Sequence, residues 1–287
     1  VTEKSTGKEN IVIVRVIEED SKYASQIAGG DGYAAVLKAD GSIWGFGYNS
    51  DGQLGNDKLA PINVPSQTNI LATYKQIKAG KKFTVALRED GTVWAWGDNT
   101  YGQLGQGNRV SAKKPVQVQN LTNIVSIAAG YSTSYAVTSD GEVYGWGSND
   151  DGELGQANQS TDPVTYPVKM KKISNIIQVA AGANHAIMLD VNGNVWATGY
   201  NSSGQLGTGD KATQTLPQQM VSVSGIKEIA AGTNHSVMLT EGGYVLSVGY
   251  NYCSQLGDGS STDRTTAIYT RLTSEEQAQQ INEVVGW

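Results

Sequence analysis

The sequence has few of the residues on which disulfides, metal sites and catalysis are usually built. It contains one cysteine, Cys253, which excludes an internal disulfide and a zinc site made of several cysteines. Only two histidines occur, and charged residues make up 17% of the chain against a usual fraction of about 25%. There is no Gly-x-Ser-x-Gly elbow, no His-Glu-x-x-His and no Walker loop. We therefore expect no catalytic residues, no cofactor and no metal.

Positive charge and long apolar runs are also scarce. The formal net charge is −6, so the chain has no broad positive field for a phosphate backbone, and we expect no nucleic acid partner. The strongest apolar run, residues 11–17, is much shorter than the roughly 18 residues of a membrane-spanning helix and contains Arg15. We expect no membrane insertion.

What the sequence has in abundance is glycine, with 35 residues, and an internal repeat. The segment at 43–55 returns four times at intervals of 50 or 52 residues, at 93–105, 143–155, 195–207 and 245–257. Within each unit two short apolar stretches flank a tight turn, as in Phe83 to Leu87, Asp90-Gly91 and Thr92 to Trp96. Four short strands in each unit predict an all-β fold, a β-propeller of four-stranded blades.

The predicted organisation places N-terminal strands in residues 1–26 and propeller repeats in 27–287. Two strands before Gly30, at about 11–17 and 23–28, would add half a blade to five whole ones, so closure of the ring stays open. An unclosed ring would pair with a second copy or with the rest of a parent chain. The repeats are bounded at about 30–79, 80–129, 130–181, 182–231 and 232–285.

Comparison of the repeats with one another indicates which positions serve the fold. Trp94 and its counterparts are bulky and alternate with small residues such as Ala95, which predicts a core aromatic between stacked sheets. Asn99 is the same in every unit and is expected to support a turn. His185 and His235 share a position held elsewhere by tyrosine, phenylalanine or threonine, which favours a packing role over a metal site.

Two segments, 179–189 and 229–239, read Val-Ala-Ala-Gly-Ala-Asn-His-Ala-Ile-Met-Leu and Ile-Ala-Ala-Gly-Thr-Asn-His-Ser-Val-Met-Leu. Each is followed by a turn, a further strand and Gln-Leu-Gly, and this pattern resembles the repeat of the regulator of chromosome condensation family. The resemblance covers about residues 27 to 285 and implies a propeller, usually of seven blades. The family includes a nuclear guanine-nucleotide exchange factor, secreted bacterial β-lactamase inhibitors and bacterial surface proteins, and the bacterial secreted or surface type is the one expected here.

Several tyrosines stand where the repeats disagree. At one loop position some repeats have tyrosine where others have aspartate or serine. At a second position two repeats have Tyr101 and Tyr252 where the others have Asp51, Asp151 and Ser203. Tyrosine provides rigid contact area at low entropic cost, so a ring of loops at one end of the propeller is predicted to bind a protein or another macromolecule. The alternative is that these are ordinary solvent-exposed turn residues. The predicted binding residues are Tyr48, Asp51, Asp98, Tyr101, Tyr131, Asp150, Asp151, Tyr200, Tyr250 and Tyr252.

The function expected from these observations is a non-enzymatic protein-binding module of a secreted or cell-surface bacterial protein. A first alternative, carried by the family resemblance, is an enzyme inhibitor similar to the secreted β-lactamase inhibitors. A second is guanine-nucleotide exchange, but repeat spacings of 50 to 52 residues leave no room for the inserted wedge that the resemblance would require.

Overall fold

The computed structural model describes residues 23–69 and 72–271, which contain twenty β-strands in five four-stranded antiparallel sheets. The all-β prediction and the four-stranded blades are confirmed. The predicted strand at 11–17 lies outside the described residues, whereas the one predicted at 23–28 corresponds to β1. The strands are β1 Ala24–Gly29, β2 Tyr33–Lys38, β3 Ile43–Gly47, β4 Ile62–Gln67, β5 Tyr74–Ala79, β6 Phe83–Arg88, β7 Val93–Gly97, β8 Ala112–Gln117, β9 Ile124–Ala129, β10 Thr133–Thr138, β11 Val143–Asn149, β12 Ser160–Lys169, β13 Ile176–Ala181, β14 His185–Asp190, β15 Val195–Gly199, β16 Gln214–Gln219, β17 Ile226–Ala231, β18 His235–Thr240, β19 Val245–Gly249 and β20 Arg264–Tyr269.

Each sheet is a simple meander in which neighbouring strands pair in chain order, and we number the sheets as blades 1 to 5. The central hairpin of blade 2 shows why: β6 and β7 pair from Phe83 opposite Gly97 to Leu87 opposite Val93. Gly91 occupies the connecting turn with φ of 82°, a conformation that side chains with a Cβ rarely adopt. The Asp-Gly turn therefore sets the register of the blade.

The first strand of each blade lies at the centre, next to the first strand of the following blade. This close approach explains the glycine that directly follows the inner strand of every repeat. A Cβ on Gly182 would lie 2.5 Å from the carbonyl oxygen of Gly232 in the next blade and 2.2 Å from the imidazole Cε1 of His185. Only glycine leaves room for the inner strands to come this close.

Neighbouring blades pack through side chains that cross from one sheet to the loop of the blade before it. Trp96 is fully buried, and its indole Nε1 donates a hydrogen bond to the carbonyl oxygen of Gln53 at 2.9 Å. Trp146 repeats the contact one blade later, with the carbonyl of Gln103 at 2.8 Å. These two tryptophans are the largest fully buried side chains among the described residues.

The core aromatic was predicted at the wrong position of the strand. Trp94 is only half-buried, near the β6–β7 turn at one end of its sheet, and the guanidinium carbon of Arg88 lies 3.7 Å from its ring centroid. Trp96 points to the same side of the sheet two residues further along, where the loop of the preceding blade covers it. The small residue between them, Ala95, is fully buried as expected.

The first and last blades each have one face that no other described blade covers. Ile27 in blade 1 is 81% exposed, although its counterpart Ile77 in blade 2 is 2% exposed. At the other end Val237 and Leu239 are half-buried, whereas Val85 in the same register of blade 2 is completely buried. The described blades thus form an arc with two uncovered end faces. No helix among the described residues has the length and hydrophobicity needed to cross a membrane.

Candidate functional site

The first turn and the third loop of every blade meet at one end of the molecule. In blade 1 the backbone N–H of Tyr48 donates to the carbonyl oxygen of Gly32 at 2.8 Å. In blade 2 the backbone N–H of Asp98 donates to the carbonyl oxygen of Lys82 at 2.9 Å. The same bond recurs in blades 3, 4 and 5. We call this end the loop face; it comprises the turns 30–32, 80–82, 130–132, 182–184 and 232–234 and the loops 48–53, 98–103, 148–153, 200–205 and 250–255.

A buried asparagine holds each loop in shape. Asn99 is completely buried, and its Oδ1 accepts a hydrogen bond from the backbone N–H of Leu104 at 2.9 Å. Its Nδ2 donates to the carbonyl oxygens of Asn108 and Val110 at 3.1 Å. The corresponding asparagines of the other blades accept the same backbone bond at 3.0 or 3.1 Å. The repeated asparagine is therefore a backbone support, and the loop tips stand on a rigid base.

The structure places all ten predicted binding residues on the loop face. The tyrosines there are well exposed apart from the half-buried Tyr250, whose ring stacks on Tyr252 with centroids 6.4 Å apart. Tyr252 was assigned to the wrong repeat position. The residue equivalent to Asp51 is Cys253, because the backbone N–H of each donates to the glutamine two residues later, at 3.0 and 2.9 Å.

The predicted aspartates are held by neighbours to different degrees. Asp51 pairs with Lys82 across the boundary between blades 1 and 2, at 3.6 Å. Asp98 accepts a hydrogen bond from Gln103 Nε2 at 2.8 Å. Asp151 accepts one from Asn184 Nδ2 of blade 4, also at 2.8 Å, whereas Asp150 is exposed. Most of these carboxylates therefore have fixed positions before any partner arrives.

Three concave regions border this face, one of them a wide pocket of about 930 Å³ beside Asp31, Tyr48 and Lys82 of blades 1 and 2. A cavity of about 510 Å³ at the centre is lined by the five first turns, and there the hydroxyl of Tyr131 lies 3.4 Å from that of Thr233, two blades away. A smaller pocket of about 330 Å³ lies between the loops of blades 2, 3 and 4. Its walls include Lys81, Lys82, Asp98, Tyr101, Tyr131, Ser148, Asp150, Glu153 and Asn184.

Sequence comparison missed the two lysines and the glutamate of this pocket. Lys81 extends over the ring of Tyr131, with Nζ 5.2 Å from the centroid, and Lys82 carries the ion pair described above. The signal was available, because only one repeat has two lysines after its inner glycine. Glu153 was hidden in a position where the other four repeats carry glutamine.

Charge is distributed unevenly around the loop face. The segments of blades 1, 2 and 3 contain every charged residue of the face, whereas those of blades 4 and 5 have none. Tyrosines, asparagines and serines take their place there, with Tyr252 the most exposed tyrosine of the molecule's described part at 74%. The charged residues are Asp31, Asp51, Lys81, Lys82, Asp98, Asp150, Asp151 and Glu153.

Groups near the face with strongly shifted pKa values include Glu153 and His185. Glu153 is almost completely buried, and burial raises the pKa of its carboxyl to about 7. His185 is buried between blades 4 and 5, with Nε2 3.1 Å from Ser236 Oγ, and burial lowers its pKa to about 4. Among the residues that the structure describes, no three His, Cys, Asp or Glu side chains are grouped so that they could hold a metal ion.

Solved structures with the same architecture are numerous. Human WBSCR16 is 21% identical with a TM-score of 0.78, over 86% of this chain and 67% of that one. Prp20p of Saccharomyces cerevisiae is 25% identical with a TM-score of 0.77, over 87% of this chain and 64% of that one. This chain thus spans about two thirds of their length.

A search of curated proteins gave no match. The RCC1-like domain family model, in contrast, matches residues 4–286, which is nearly the whole chain. The repeats, the four-stranded blades and the family match agree, and the chain belongs to the RCC1-like domain family.

Proposed function

We propose that this protein is a non-enzymatic propeller that binds a protein partner through its loop face. The observation that carries the proposal is the pocket of about 330 Å³ between blades 2, 3 and 4, with exposed tyrosines and positioned carboxylates around it. Tyrosine and arginine dominate the energetics of protein interfaces, and tyrosine loses little side-chain entropy on binding. The face has the composition of a binding surface.

Rigidity of the loops adds to this argument. A loop that is already in its bound shape does not have to be ordered when the partner arrives, so more of the contact energy appears as affinity. Here the buried asparagines fix the loop bases, and Asp98 and Asp151 are held by Gln103 and Asn184. The loop face is therefore organised before it binds.

The solved relatives support a protein as the class of partner. The Saccharomyces cerevisiae relative Prp20p is described by its binding to Gsp1p and histones, and yeast RCC1 (Prp20) has been solved bound to Kap60. Gsp1p, histones and Kap60 are partners of the yeast protein. They support protein binding as a general role of an RCC1-like propeller and do not identify the partner of this chain.

The location of the protein is part of the proposal. We place it outside a bacterial cell, secreted or on the surface, because the chain has low charge and abundant uncharged polar residues. Cell fractionation and protease accessibility of intact cells would test this location. Detection in the cytoplasm alone would contradict it.

The binding test has two steps. A photo-crosslinking amino acid at Tyr101, in the loop face, should capture a partner that the same probe at Asp140, on the opposite end, does not capture. For that partner, the combined substitution of Tyr48, Tyr101, Tyr200 and Tyr250 by alanine should weaken binding by about tenfold or more.

The matched control replaces three exposed acidic residues at the opposite end, Glu89, Asp140 and Glu241, by alanine. This variant should retain the original affinity. Equal affinities for the tyrosine variant and the unchanged protein would overturn the assignment of the loop face. Inhibition of a serine β-lactamase, or nucleotide release from a small GTPase, would identify the partner as an enzyme or a GTPase.

A further inference from the structure

Blade 3 differs from the other blades at one buried position of its loop. Glu153 is 1% exposed and occupies the place of Gln53, Gln103, Gln205 and Gln255. A glutamine side chain stays neutral, whereas a carboxyl group carries a proton or a charge depending on pH. Blade 3 has therefore acquired a titratable group where the other four loops have none.

The hydrogen bonds around this position show that blade 3 is adapted to the carboxyl group. In blade 2, Gln103 Nε2 donates to the carboxylate of Asp98. Blade 3 has Ser148 in place of Asp98, and its hydroxyl lies 3.0 Å from Glu153 Oε1. A hydroxyl can donate to a carboxylate or accept from a carboxylic acid, so Ser148 can bond both forms. Aspartate at that position would repel the ionised form.

The second carboxyl oxygen holds the tip of the loop. The backbone N–H of Asp151 donates to Glu153 Oε2 at 2.9 Å, the bond that a glutamine oxygen accepts in the other blades. The Asp151 side chain in turn accepts a hydrogen bond from Asn184 of blade 4 at 2.8 Å. Glu153 thus holds the loop whose tip spans the boundary between blades 3 and 4.

The charged groups around Glu153 do not neutralise it. Asp151 is the nearest carboxylate on its own loop, and it raises the Glu153 pKa further beyond the larger effect of burial. Neither lysine of the pocket forms an ion pair with Glu153 in the described structure, since Lys82 pairs with Asp51 and Lys81 lies over Tyr131. The Tyr135 hydroxyl donates to the backbone carbonyl of Glu153 rather than to its carboxyl group. The remaining titratable groups of the pocket are Asp98, Tyr101, Tyr131 and Asp150.

We propose that Glu153 is a proton-dependent latch of the blade 3 loop. With a proton on Glu153, residues 148–153 stay closed against Asn184; without it, the loop opens more often so that water can reach the carboxylate. The latch itself does not depend on the proposed function. Only its effect on partner binding does, because this loop forms one wall of the pocket that we assign to binding. Its opening would reshape that wall near neutral pH.

The direction and size of the effect follow from proton linkage. The closed loop binds the proton more tightly than the open loop, since Glu153 has a pKa of about 7 when buried and 4.5 as an ordinary exposed carboxyl. Opening should therefore become about tenfold more frequent per pH unit between these two values, and should level off above the higher one. A glutamine at this position would show no such change.

Amide hydrogen exchange tests the latch without a partner. We would measure exchange of residues 148–154 at pH values from 5 to 8 in the unchanged protein and in Glu153→Gln, and take the ratio of their rates at each pH so that intrinsic exchange cancels. The ratio should rise about tenfold per pH unit up to neutrality and then stay constant. Ser148→Ala should show the same rise with pH, because burial and not the Ser148 hydroxyl is the main cause of the raised Glu153 pKa.

Glu142→Gln is the matched control, the same chemical change in the same blade at a half-buried site on the opposite end, where the carboxylate pairs with Lys169. Its exchange in 148–154 should equal that of the unchanged protein at every pH. A flat ratio for Glu153→Gln, or a fall with pH, would overturn the latch. Neither outcome bears on partner binding, which the crosslinking experiment tests separately.

Discussion

The inner blades and the two ends of the arc have the same strands but very different environments. Ile27 and Ile77 occupy equivalent places in β1 and β5, yet one is 81% exposed and the other 2%. Each blade therefore forms its sheet from its own sequence, and burial comes from the neighbour. In a repeat protein of this kind, much of the stability should lie in the interfaces between units.

The polar contacts follow the same division. Thr84 and Trp96 of blade 2 both donate to the carbonyl oxygen of Gln53 in blade 1. Blade 1 has Ala34 and Phe46 at those two positions, and neither side chain can donate a hydrogen bond. Its end face, which no other described blade covers, is thus apolar at the positions where an inner blade binds the preceding loop.

The largest effect should come from the buried tryptophan. Trp96→Ala should reduce the free energy of unfolding by about 3–5 kcal/mol, because it leaves a large cavity and removes the bond to Gln53. Phe46→Ala, at the same position of blade 1, should cost about 1 kcal/mol or less. Urea denaturation of the two variants measures the difference. Equal losses would mean that the end face of blade 1 is covered in solution.

A pair of isoleucines gives the same comparison without aromatic chemistry. Ile77→Ala should cost about 2–4 kcal/mol, the usual range for emptying a buried aliphatic site. Ile27→Ala should change the free energy of unfolding by about 0.5 kcal/mol or less, as for most exposed positions. Both are read from denaturant midpoints at constant slope, and a large loss at Ile27 would contradict its exposure.

The two histidines extend the comparison to pH. His185, between blades 4 and 5, has a pKa of about 4, whereas unfolded histidine has one of 6.5. As pH falls below 6.5 the unfolded chain takes up a proton that the folded chain does not, so stability should fall by about 1.4 kcal/mol per pH unit.

His185→Phe should abolish that part of the pH dependence, and phenylalanine is the residue that blade 2 carries there. His235→Phe should change it less, because His235 lies half-buried on the open face of blade 5. Denaturation between pH 4.5 and 7 measures both slopes. Identical slopes for the two variants would remove the distinction between inner and end histidines.

The loop asparagines should show no difference between the ends and the centre. Asn49 of blade 1 and Asn99 of blade 2 are both completely buried and accept the same backbone bond. Asn49→Ala and Asn99→Ala should each cost about 1–2 kcal/mol, because each leaves a buried N–H without its acceptor. Thermal unfolding compares them. A much smaller cost in blade 1 would mean that Asn49 does not support its loop as Asn99 does.

The sequence was sufficient to predict the shared parts of the fold. Repeat spacing and the Asp90-Gly91 turn predicted the blades, and the constant asparagine predicted a turn support. Alternation identified the face that carries Trp94 and Trp96. It could not say which of them the loop of the preceding blade covers, since that depends on how far the loop reaches along the strand. The equivalence of Cys253 to Asp51 was missed because the fifth repeat differs from the other four in sequence. The hydrogen bond that establishes the equivalence cannot be read from the sequence.

The candidate site was predicted less completely for a related reason. Agreement between repeats identifies structural residues, whereas Lys81, Lys82 and Glu153 are departures from the pattern in single repeats. A departure is informative only when its surroundings are known. The pKa of Glu153 is raised by burial and by the neighbouring Asp151. Comparison with the glutamines that the other repeats have at this position shows neither effect.

The loop glutamines of blades 1, 2 and 4 each serve two partners at once. The side chain of Gln53 fixes the loop tip, because its Oε1 accepts a hydrogen bond from the backbone N–H of Asp51. Its backbone carbonyl oxygen accepts a second hydrogen bond, from the indole N–H of Trp96 in the next blade. Ser50 and Asp51 have no such double duty, so they are free to diversify, whereas Gly52, with a φ of 84° and the backbone of Lys113 against it, stays fixed like its flanking residues. A combinatorial library confined to these tips would vary the recognition surface and retain the scaffold, much as antibody loops vary on a constant framework.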